Sequence, residues 1–134
     1  MFLLMMLALF AEDDYAKKAL DLHHRTIVID THSDTTQRLL DEHMDIGKRQ
    51  AEGHMDIPRM REGGLGAQFF SIWVEPKFAP NFLARALAQI DAVYASVERY
   101  PGQIEMARSA ADIRHLNKLG KIAALMGLDR KSVV

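Results

Sequence analysis

The chain has 134 residues, of which 49% are hydrophobic and 26% are charged, and its formal net charge is −1 at pH 7. This length indicates one domain, and the near-neutral charge excludes a broad electrostatic attraction to nucleic acid or to an anionic membrane. The absence of cysteine excludes disulfides and thiolate metal sites, which leaves histidine and carboxylates as metal ligands.

The first ten residues are entirely apolar, and Ala11 and three acidic residues follow them. A bilayer span needs about 20 residues, so this run is too short to cross a membrane. It is typical of the apolar part of an export signal, so residues 1–11 are predicted to be a signal peptide. The signal is imperfect, because no Lys or Arg precedes the run and Leu9 occupies a position that favours a small residue. The alternative is a helix that docks on the core. Export to the periplasm or the extracellular space is expected if the signal is real, and a cytoplasmic location otherwise.

The first predicted elements are a short helix over residues 16–24 and a strand over residues 26–30. The strand prediction rests on the β-branched apolar run TIVI, which is typical of a buried strand. Residues 35–53 have no clean period and are predicted to be a loop with at most a helical turn. Pro58 is expected to interrupt any helix near it, and the glycines of residues 63–66 predict a tight turn.

Two more strands are predicted downstream, over residues 67–74 and 122–128. The first is almost continuously apolar, as expected for a strand that is covered on both faces. Strands that alternate with helices indicate an α/β chain with a parallel sheet. About three strands cannot close a barrel, which takes ~250 residues, so unpaired strand edges and a tendency to aggregate are expected.

Two helices are predicted between the second and third strands. Asn81 is a suitable N-cap for the first, which Pro101 and Gly102 end. Ser109 and Asp112 resemble a capping box at the start of the second helix, Ile113 and Leu116 form its apolar side, and Gly120 suits its C-terminal end. The apolar stripe of the first helix is predicted to comprise Leu83, Leu87, Ile90, Tyr94 and Val97.

The candidate site follows the first strand, at His32 and Asp34. Side chains two residues apart in an extended segment point to the same side, so an imidazole and a carboxylate would converge. This pair is half of a catalytic zinc site, and strand ends carry the active sites of barrel and open α/β folds. Asp30 is a candidate outer partner that would accept the second imidazole N–H. The alternative is a histidine hydrogen-bonded in a loop and an aspartate that caps a turn.

The spacing repeats at His54 and Asp56, but no clear strand precedes them. We interpret Asp56 as turn chemistry with Arg59 or Arg61 as its carboxylate partner, and His54 as structural. Phe69, Phe70 and Trp73 are predicted to be core residues, because no basic residues alternate with them. His23, His24, His43 and His115 have no ligand-like neighbours in the sequence.

Three blocks together resemble the membrane (renal) dipeptidase family. They are VIDTHSD at residues 28–34, GHMDIPRMREGGLGAQFFS at 53–71 and GKIAALMG at 120–127. The similarity runs from about Ala19 to Leu128. It implies that residues 12–128 are the N-terminal portion of a metal-dependent-hydrolase-type (β/α)8 TIM barrel. It also implies that His32 and Asp34 bind one of two zinc ions.

The resemblance also implies that Asp129 occupies the position of the family's bridging glutamate. The Gly-Gly-His that follows that glutamate is missing here, and a common sequencing-adapter read encodes the same six residues. We therefore expect residues 129–134 to be a non-native tail. Two of five expected metal-binding residues are then present.

The resemblance implies zinc-dependent hydrolysis of dipeptides, with zinc-bound hydroxide as the nucleophile and no catalytic residue assigned within this chain. The chain itself is expected to be inactive and poorly folded, and a homodimer stays open for the full-length form. Two alternatives remain. One is another barrel hydrolase that acts on cyclic amides or lactones, and the other is a non-catalytic fragment.

Overall fold

The computed structural model describes residues 2–129, with side chains from Asp14 onward. The first element is helix α1, Phe2–Arg25, which confirms the helix predicted over residues 16–24 and extends it. The side chains of the predicted signal segment and residues 130–134 of the predicted tail lie outside the described residues. Among residues 2–129, no helix is both long and apolar enough to cross a membrane.

A parallel sheet of four strands forms the centre of the fold. Its strands are β1 (Val28–Ser33), β2 (Leu65–Ile72), β3 (Ile104–Met106) and β4 (Ile122–Leu128), in the order β1-β2-β4-β3. The prediction for β4 is confirmed to the residue. The predictions for β1 and β2 had the right strands but bounds shifted by about two residues, so His32 lies inside β1 and Gly66 lies inside β2.

Strand β3 was not predicted, and the expected count of three strands was therefore wrong. It spans three residues and pairs with the beginning of β4, where Ile104 lies beside Ile122 and Met106 beside Ala124. Three residues are too few for an alternating pattern to be recognised in the sequence. Strand β3 forms one edge of the sheet and β1 forms the other.

Helices cover both faces of the sheet, which leaves two separate cores. They are α2 (Thr35–Asp41), α3 (Ile57–Glu62), α4 (Phe82–Glu98) and α5 (Ala110–Lys118), with a short 3-10 turn at Pro76–Phe78. Helix α4 connects β2 to the edge strand β3, and α5 then connects β3 back to β4, which lies between them. The two connections therefore run in opposite directions across the sheet. Because parallel crossovers are right-handed, this reversal places α5 on the other face.

The larger core lies under α2, α3 and α4, and the smaller one lies under α5. Phe70, at the centre of the larger core, has no exposed surface. The smaller core comprises Ala67, Ala107, Ile113, Leu116 and Ala123. The larger core comprises Leu39, Met44, Ile46, Ile57, Met60, Phe70, Ile72, Val93, Val97, Ile104, Ile122 and Ala124.

Two helices occupy segments where no more than a helical turn was predicted or where a helix was expected to be interrupted. Helix α2 begins directly after Asp34, inside the predicted loop, and buries Thr36 and Leu39. Helix α3 has Pro58 in its first turn, where a missing N–H leaves no hydrogen bond unmade. Pro58 therefore starts this helix, contrary to the prediction that it would interrupt one.

The buried face of α4 agrees with the predicted stripe at Val97, which lies in the larger core, but differs from it nearer the start of the helix. Leu83 and Leu87 are 74% and 52% exposed, whereas Gln89 is fully buried together with Val93. Gln89 can be buried because its side-chain amide donates to the carbonyl of Trp73 at 2.6 Å. The buried face of α4 therefore includes a polar residue that the hydrophobic pattern alone does not indicate.

The start of α5 confirms the predicted capping residues. The Ser109 hydroxyl accepts from the Asp112 amide at 3.1 Å, and the Asp112 carboxylate accepts from the Arg108 amide at 2.9 Å. The hydrogen bond from the Arg108 amide is the largest cause of the lowered pKa of Asp112. Gly120 follows the helix with φ of 70°, the left-handed conformation that a helix end requires.

Candidate metal centre

His32 and Asp34 meet at the carboxyl end of β1. The imidazole Nε2 lies 3.3 Å from the Asp34 carboxylate, and the two side chains are 56% and 59% exposed. His32 belongs to the strand, while Asp34 is the residue before α2 and makes no side-chain cap to that helix. The structure therefore brings the two side chains together in the predicted way, with both open to solvent.

Asp30 makes a different contact from the one expected. Its carboxylate accepts a hydrogen bond from the backbone N–H of His32 at 3.1 Å, whereas the prediction was a bond from the imidazole. The strand pairing shifts between Asp30 and Ser33, and this irregularity turns the His32 amide toward the carboxylate. Asp30 thus shapes the backbone beneath His32.

Asp129 shares a cleft with His32. The cleft has a volume of about 330 Å³ and lies where β1, β2 and β4 end. The backbone N–H of Asp129 donates to the Ile72 carbonyl at 3.1 Å, which extends the pairing of β4 with β2. Within residues 2–129, however, no three His, Asp or Glu side chains come close enough to form a metal site, so Asp129 does not join the His32–Asp34 pair.

A second cleft, of about 360 Å³, lies on the Asp34 side of the pair. It lies between the start of α2 and the loop that carries His54, so the second His-x-Asp motif is a neighbour of the first. The Arg38 guanidinium connects these segments by donating to the Glu52 carbonyl at 3.0 Å. The lining of this second cleft comprises Ser33, Asp34, Thr35, Arg38, Gly53, His54 and Met55.

Asp56 holds the far end of the same loop. It is fully buried, and it accepts hydrogen bonds from the backbone amides of Arg59 and Gln50 at 2.9 and 3.1 Å and pairs with the Arg59 guanidinium. The prediction of Arg59 as its partner is confirmed, and Asp56 acts as the N-cap of α3. Burial raises the pKa of Asp56, but these hydrogen bonds and the Arg59 charge outweigh burial and leave the pKa lowered.

Hydrogen bonds to the end of β2 position helix α2, and with it Asp34. The hydroxyl of the fully buried Thr36 donates to the Ser71 carbonyl at 2.5 Å, and the Gln37 amide donates to the Trp73 carbonyl at 2.6 Å. At its other end, α2 is tied to α4, because both Arg85 nitrogens donate to the Asp41 carboxylate at 2.7 and 2.6 Å. The Arg85 hydrogen bonds lower the pKa of Asp41.

Replacing Thr36 by valine is expected to lower the free energy of unfolding by about 1–3 kcal/mol, because a carbonyl in the interior loses its donor while the side-chain shape is kept. Urea unfolding followed by circular dichroism measures this loss. Thr26→Val is the matched control, since the Thr26 hydroxyl bonds to Leu22 at an exposed position and its loss should cost less. Equal losses for the two variants would contradict the anchoring role of Thr36.

Sequence reasoning missed Ser71, which lines the His32 cleft from the end of β2. In the sequence it is one small residue in an apolar run, and no local pattern distinguishes it. Phe70 is fully buried as predicted, while Phe69 and Trp73 are only half-buried. The other histidines lie outside the candidate site; His23, for example, contacts the Gly63 carbonyl at 2.8 Å near the opposite end of the sheet.

A parallel sheet with a His–Asp pair at the carboxyl end of an outer strand defines an α/β protein whose candidate site lies where such folds carry their active sites. The chain belongs to the membrane dipeptidase family, peptidase family M19, whose family model matches residues 16–133. This match confirms the resemblance that the three sequence blocks indicated.

Individual relatives agree with this family. The chain is 35% identical over 81 residues to the dipeptidase aclJ of Aspergillus oryzae, covering 54% of this chain and 19% of the relative. It superposes on the M19 metallopeptidase dipeptidase AC with a TM-score of 0.70 and 28% identity, covering 81% of this chain and 36% of that one.

A metallopeptidase from Rhodobacter sphaeroides, solved with a phosphinate mimic of the dipeptide L-Ala-D-Ala, matches with a TM-score of 0.67 and 26% identity, covering 81% of this chain and 39% of that one. The fold predicted from the resemblance is therefore confirmed as an α/β fold with a parallel sheet that matches the N-terminal part of M19 dipeptidases. The chain spans about a fifth of the length of the curated relatives it matches.

Proposed function

We propose that this chain supplies the first metal-ligand pair of a zinc-dependent dipeptidase, with His32 and Asp34 as the ligands. The observation that carries the proposal is the 3.3 Å separation of the His32 nitrogen and the Asp34 oxygen. Two ligands that are each about 2.1 Å from a tetrahedral zinc lie about 3.4 Å apart, so the pair has the spacing of one edge of such a site. Membership of a dipeptidase family supports dipeptides as the substrate.

The chemistry of the two donors fits a divalent cation. His32 would use the lone pair of a neutral imidazole nitrogen, and Asp34 would contribute one carboxylate oxygen and one negative charge. Bound zinc supplies a hydroxide nucleophile near neutral pH and polarises the peptide carbonyl. The exposure of both side chains leaves room for a substrate, and Asp30 holds the His32 backbone in place.

The whole protein would bind two zinc ions and take its remaining ligands from outside the pair described above. Asp129 is the candidate for the bridging position, since it shares the cleft with His32. Export through the apolar N-terminal segment and assembly as a homodimer are further parts of this proposal.

Zinc binding to the chain tests the ligand assignment. We expect wild type to bind zinc weakly, because zinc sites usually have three or four protein ligands. His32→Ala should weaken zinc binding by at least about tenfold, since a loss of that size is already typical when a residue that only supports a ligand is replaced. Two-dimensional NMR during a zinc titration measures both the affinity and the residues perturbed. His54→Ala is the matched control from the second His-x-Asp motif and should bind as wild type does. Equal effects of the two variants, or no perturbation of His32, would contradict the assignment.

The purified chain is expected not to hydrolyse dipeptides, because the described residues bring only two ligands together. An assay with alanyl-alanine and added zinc measures this, and a panel of lactones and cyclic amides run beside it tests the alternative class of barrel hydrolases. Zinc-dependent cleavage of the dipeptide by this chain would show that the two-ligand site is sufficient.

A further inference from the structure

The cleft beside His32 contains a polar group that the metal proposal does not use. This cleft is open at the carboxyl ends of three neighbouring strands, so it lies where ligands bind in parallel α/β folds. Ser71 contributes a side chain from β2, the central of these strands. The lining comprises Thr31, His32, Phe69, Phe70, Ser71, Gly127, Leu128 and Asp129.

The Ser71 hydroxyl is buried without a partner. Ser71 is 3% exposed, and within the described part of the chain its Oγ makes no hydrogen bond. A buried hydroxyl without a partner destabilises the fold, and an alanine would fill nearly the same volume at no such cost. The hydrogen bond from Thr36 fixes the backbone of Ser71, while the hydroxyl itself can turn about the Cα–Cβ bond.

The residue beside Ser71 leaves space next to this hydroxyl. In the register of β2 and β4, Ser71 pairs with Gly127. A Cβ atom built on Gly127 would meet no other atom within 4 Å, so the missing side chain opens the cleft at this level. A small ligand group can therefore approach Ser71 from the Gly127 side, where rotation of the side chain would bring the hydroxyl into the cleft.

The chemistry of the lining favours a cation. Hydroxyl and carboxylate oxygens from Thr31, Ser71 and Asp129 can accept hydrogen bonds, and none of the lining residues within 2–129 is a lysine or an arginine. The half-buried ring of Phe69 adds aromatic surface, which attracts ammonium groups over its face. A primary ammonium donates three hydrogen bonds, which suits several oxygen acceptors around one small cavity.

We propose that Ser71 is a substrate-binding residue whose hydroxyl accepts a hydrogen bond from the free amino group of a dipeptide in this cleft. This inference rests on the proposed dipeptidase function for the identity of the ligand. It assigns the Ser71 side chain to the amino end of the substrate, next to the His32–Asp34 pair. Ser71 thereby distinguishes a dipeptide with a free amino end from an acylated one.

The test is titration of the wild-type chain and Ser71→Ala with alanyl-alanine, followed by NMR shifts of the cleft residues. We expect saturable binding to wild type, at least about tenfold weaker binding to Ser71→Ala, and no binding of N-acetyl-alanyl-alanine, because a hydrogen bond to a charged group is lost in each case. Ser71→Thr keeps the hydroxyl and should restore binding. Ser96→Ala is the matched control, since the Ser96 hydroxyl bonds to Ala92 within α4, outside this cleft.

Thermal unfolding without ligand separates a binding role from a structural one. If the hydroxyl serves the ligand, Ser71→Ala should melt at the same temperature as wild type or higher, because it removes an unpartnered buried group. A lower melting temperature together with weaker binding would show a structural role and overturn the inference. So would equal dipeptide affinity of wild type and Ser71→Ala, equal binding of the acetylated dipeptide, or no saturable binding to wild type.

Zinc alone is titrated separately, because zinc and an ammonium group are both cations. If zinc does not perturb His32, the proposed metal function fails, whatever Ser71→Ala does. If zinc perturbs His32 but Ser71→Ala binds the dipeptide as wild type does, only the role of Ser71 fails.

Discussion

Replacing Asp56 by alanine is expected to lower the free energy of unfolding by about 2–4 kcal/mol, because a helix cap and a buried hydrogen-bond acceptor are lost. The carboxylate is fully buried, accepts two backbone hydrogen bonds and pairs with the Arg59 guanidinium. Its loss would uncap α3 and leave the Gln50 amide without an acceptor. Urea unfolding followed by circular dichroism and by Trp73 fluorescence measures the change.

The same residue is expected to make the fold sensitive to acid. Because the pKa of Asp56 in the folded state lies below its ordinary value of 3.8, its stabilisation is complete above that pH and is lost as the pH falls through the folded-state pKa. In Asp56→Asn, which cannot ionise, the free energy of unfolding should therefore fall less steeply below pH 3.8 than in wild type.

Asp112→Asn is the matched control for Asp56. Asp112 also accepts a backbone hydrogen bond at a helix start and has a lowered pKa, but its bonds are at an exposed site, so the variant should lose less stability. Asp56→Asn should also broaden NMR signals of the loop that carries His54, because Asp56 ties that loop to α3. An unchanged acid profile in Asp56→Asn would show that Asp56 does not contribute to acid sensitivity.

Replacing Phe70 by alanine is expected to lower the free energy of unfolding by about 3–5 kcal/mol, because the ring is lost and a cavity remains. Phe70 is fully buried at the centre of the larger core. Such a loss is a large part of the 5–15 kcal/mol that typically stabilises a domain, so the variant is expected to be close to unfolding. The shift of the urea midpoint, at an unchanged slope, measures it.

Phe69→Ala is the matched control for Phe70, since it changes the same residue type one position earlier. Phe69 is only half-buried and lines the His32 cleft on the other face of the sheet. Its replacement should cost less stability but weaken dipeptide binding, because the aromatic wall of the cleft is lost. If Phe69→Ala destabilised the chain as much as Phe70→Ala, the division of the sheet into one core face and one cleft face would be wrong.

Much of the fold could be predicted because its signals are local. The strand at residues 122–128, the Ser109 cap, the end of α5 at Gly120 and the partnership of Asp56 with Arg59 each follow from neighbouring residues. The convergence of His32 and Asp34 was predicted from the alternation of side chains along an extended segment, although Asp34 lies in the turn before α2. The sequence blocks that carry the family resemblance are of the same kind, since they are runs of residues in fixed order.

Other features depend on residues that are distant in the chain. Strand β3 depends on its pairing with β4, where Ile104 lies beside Ile122. The burial of Gln89 in α4 depends on its hydrogen bond to the Trp73 carbonyl. A pattern of hydrophobicity along one segment contains no information about such partners. The predicted contact of Asp30 with the His32 imidazole was wrong for a similar reason. The pairing of β1 with β2 is irregular there, and the backbone N–H of His32 donates to the Asp30 carboxylate instead.

The sequence by itself determined the parallel α/β class, the His32–Asp34 pair and the family, because each rests on residue types at short, fixed spacings. Only the tertiary structure decided that the pair lies between two clefts, that Asp129 lines the same cleft as His32, and that the Ser71 hydroxyl is buried with no partner among residues 2–129. These are properties of side chains brought together from separate strands, and burial and hydrogen bonding at such places are decided by packing.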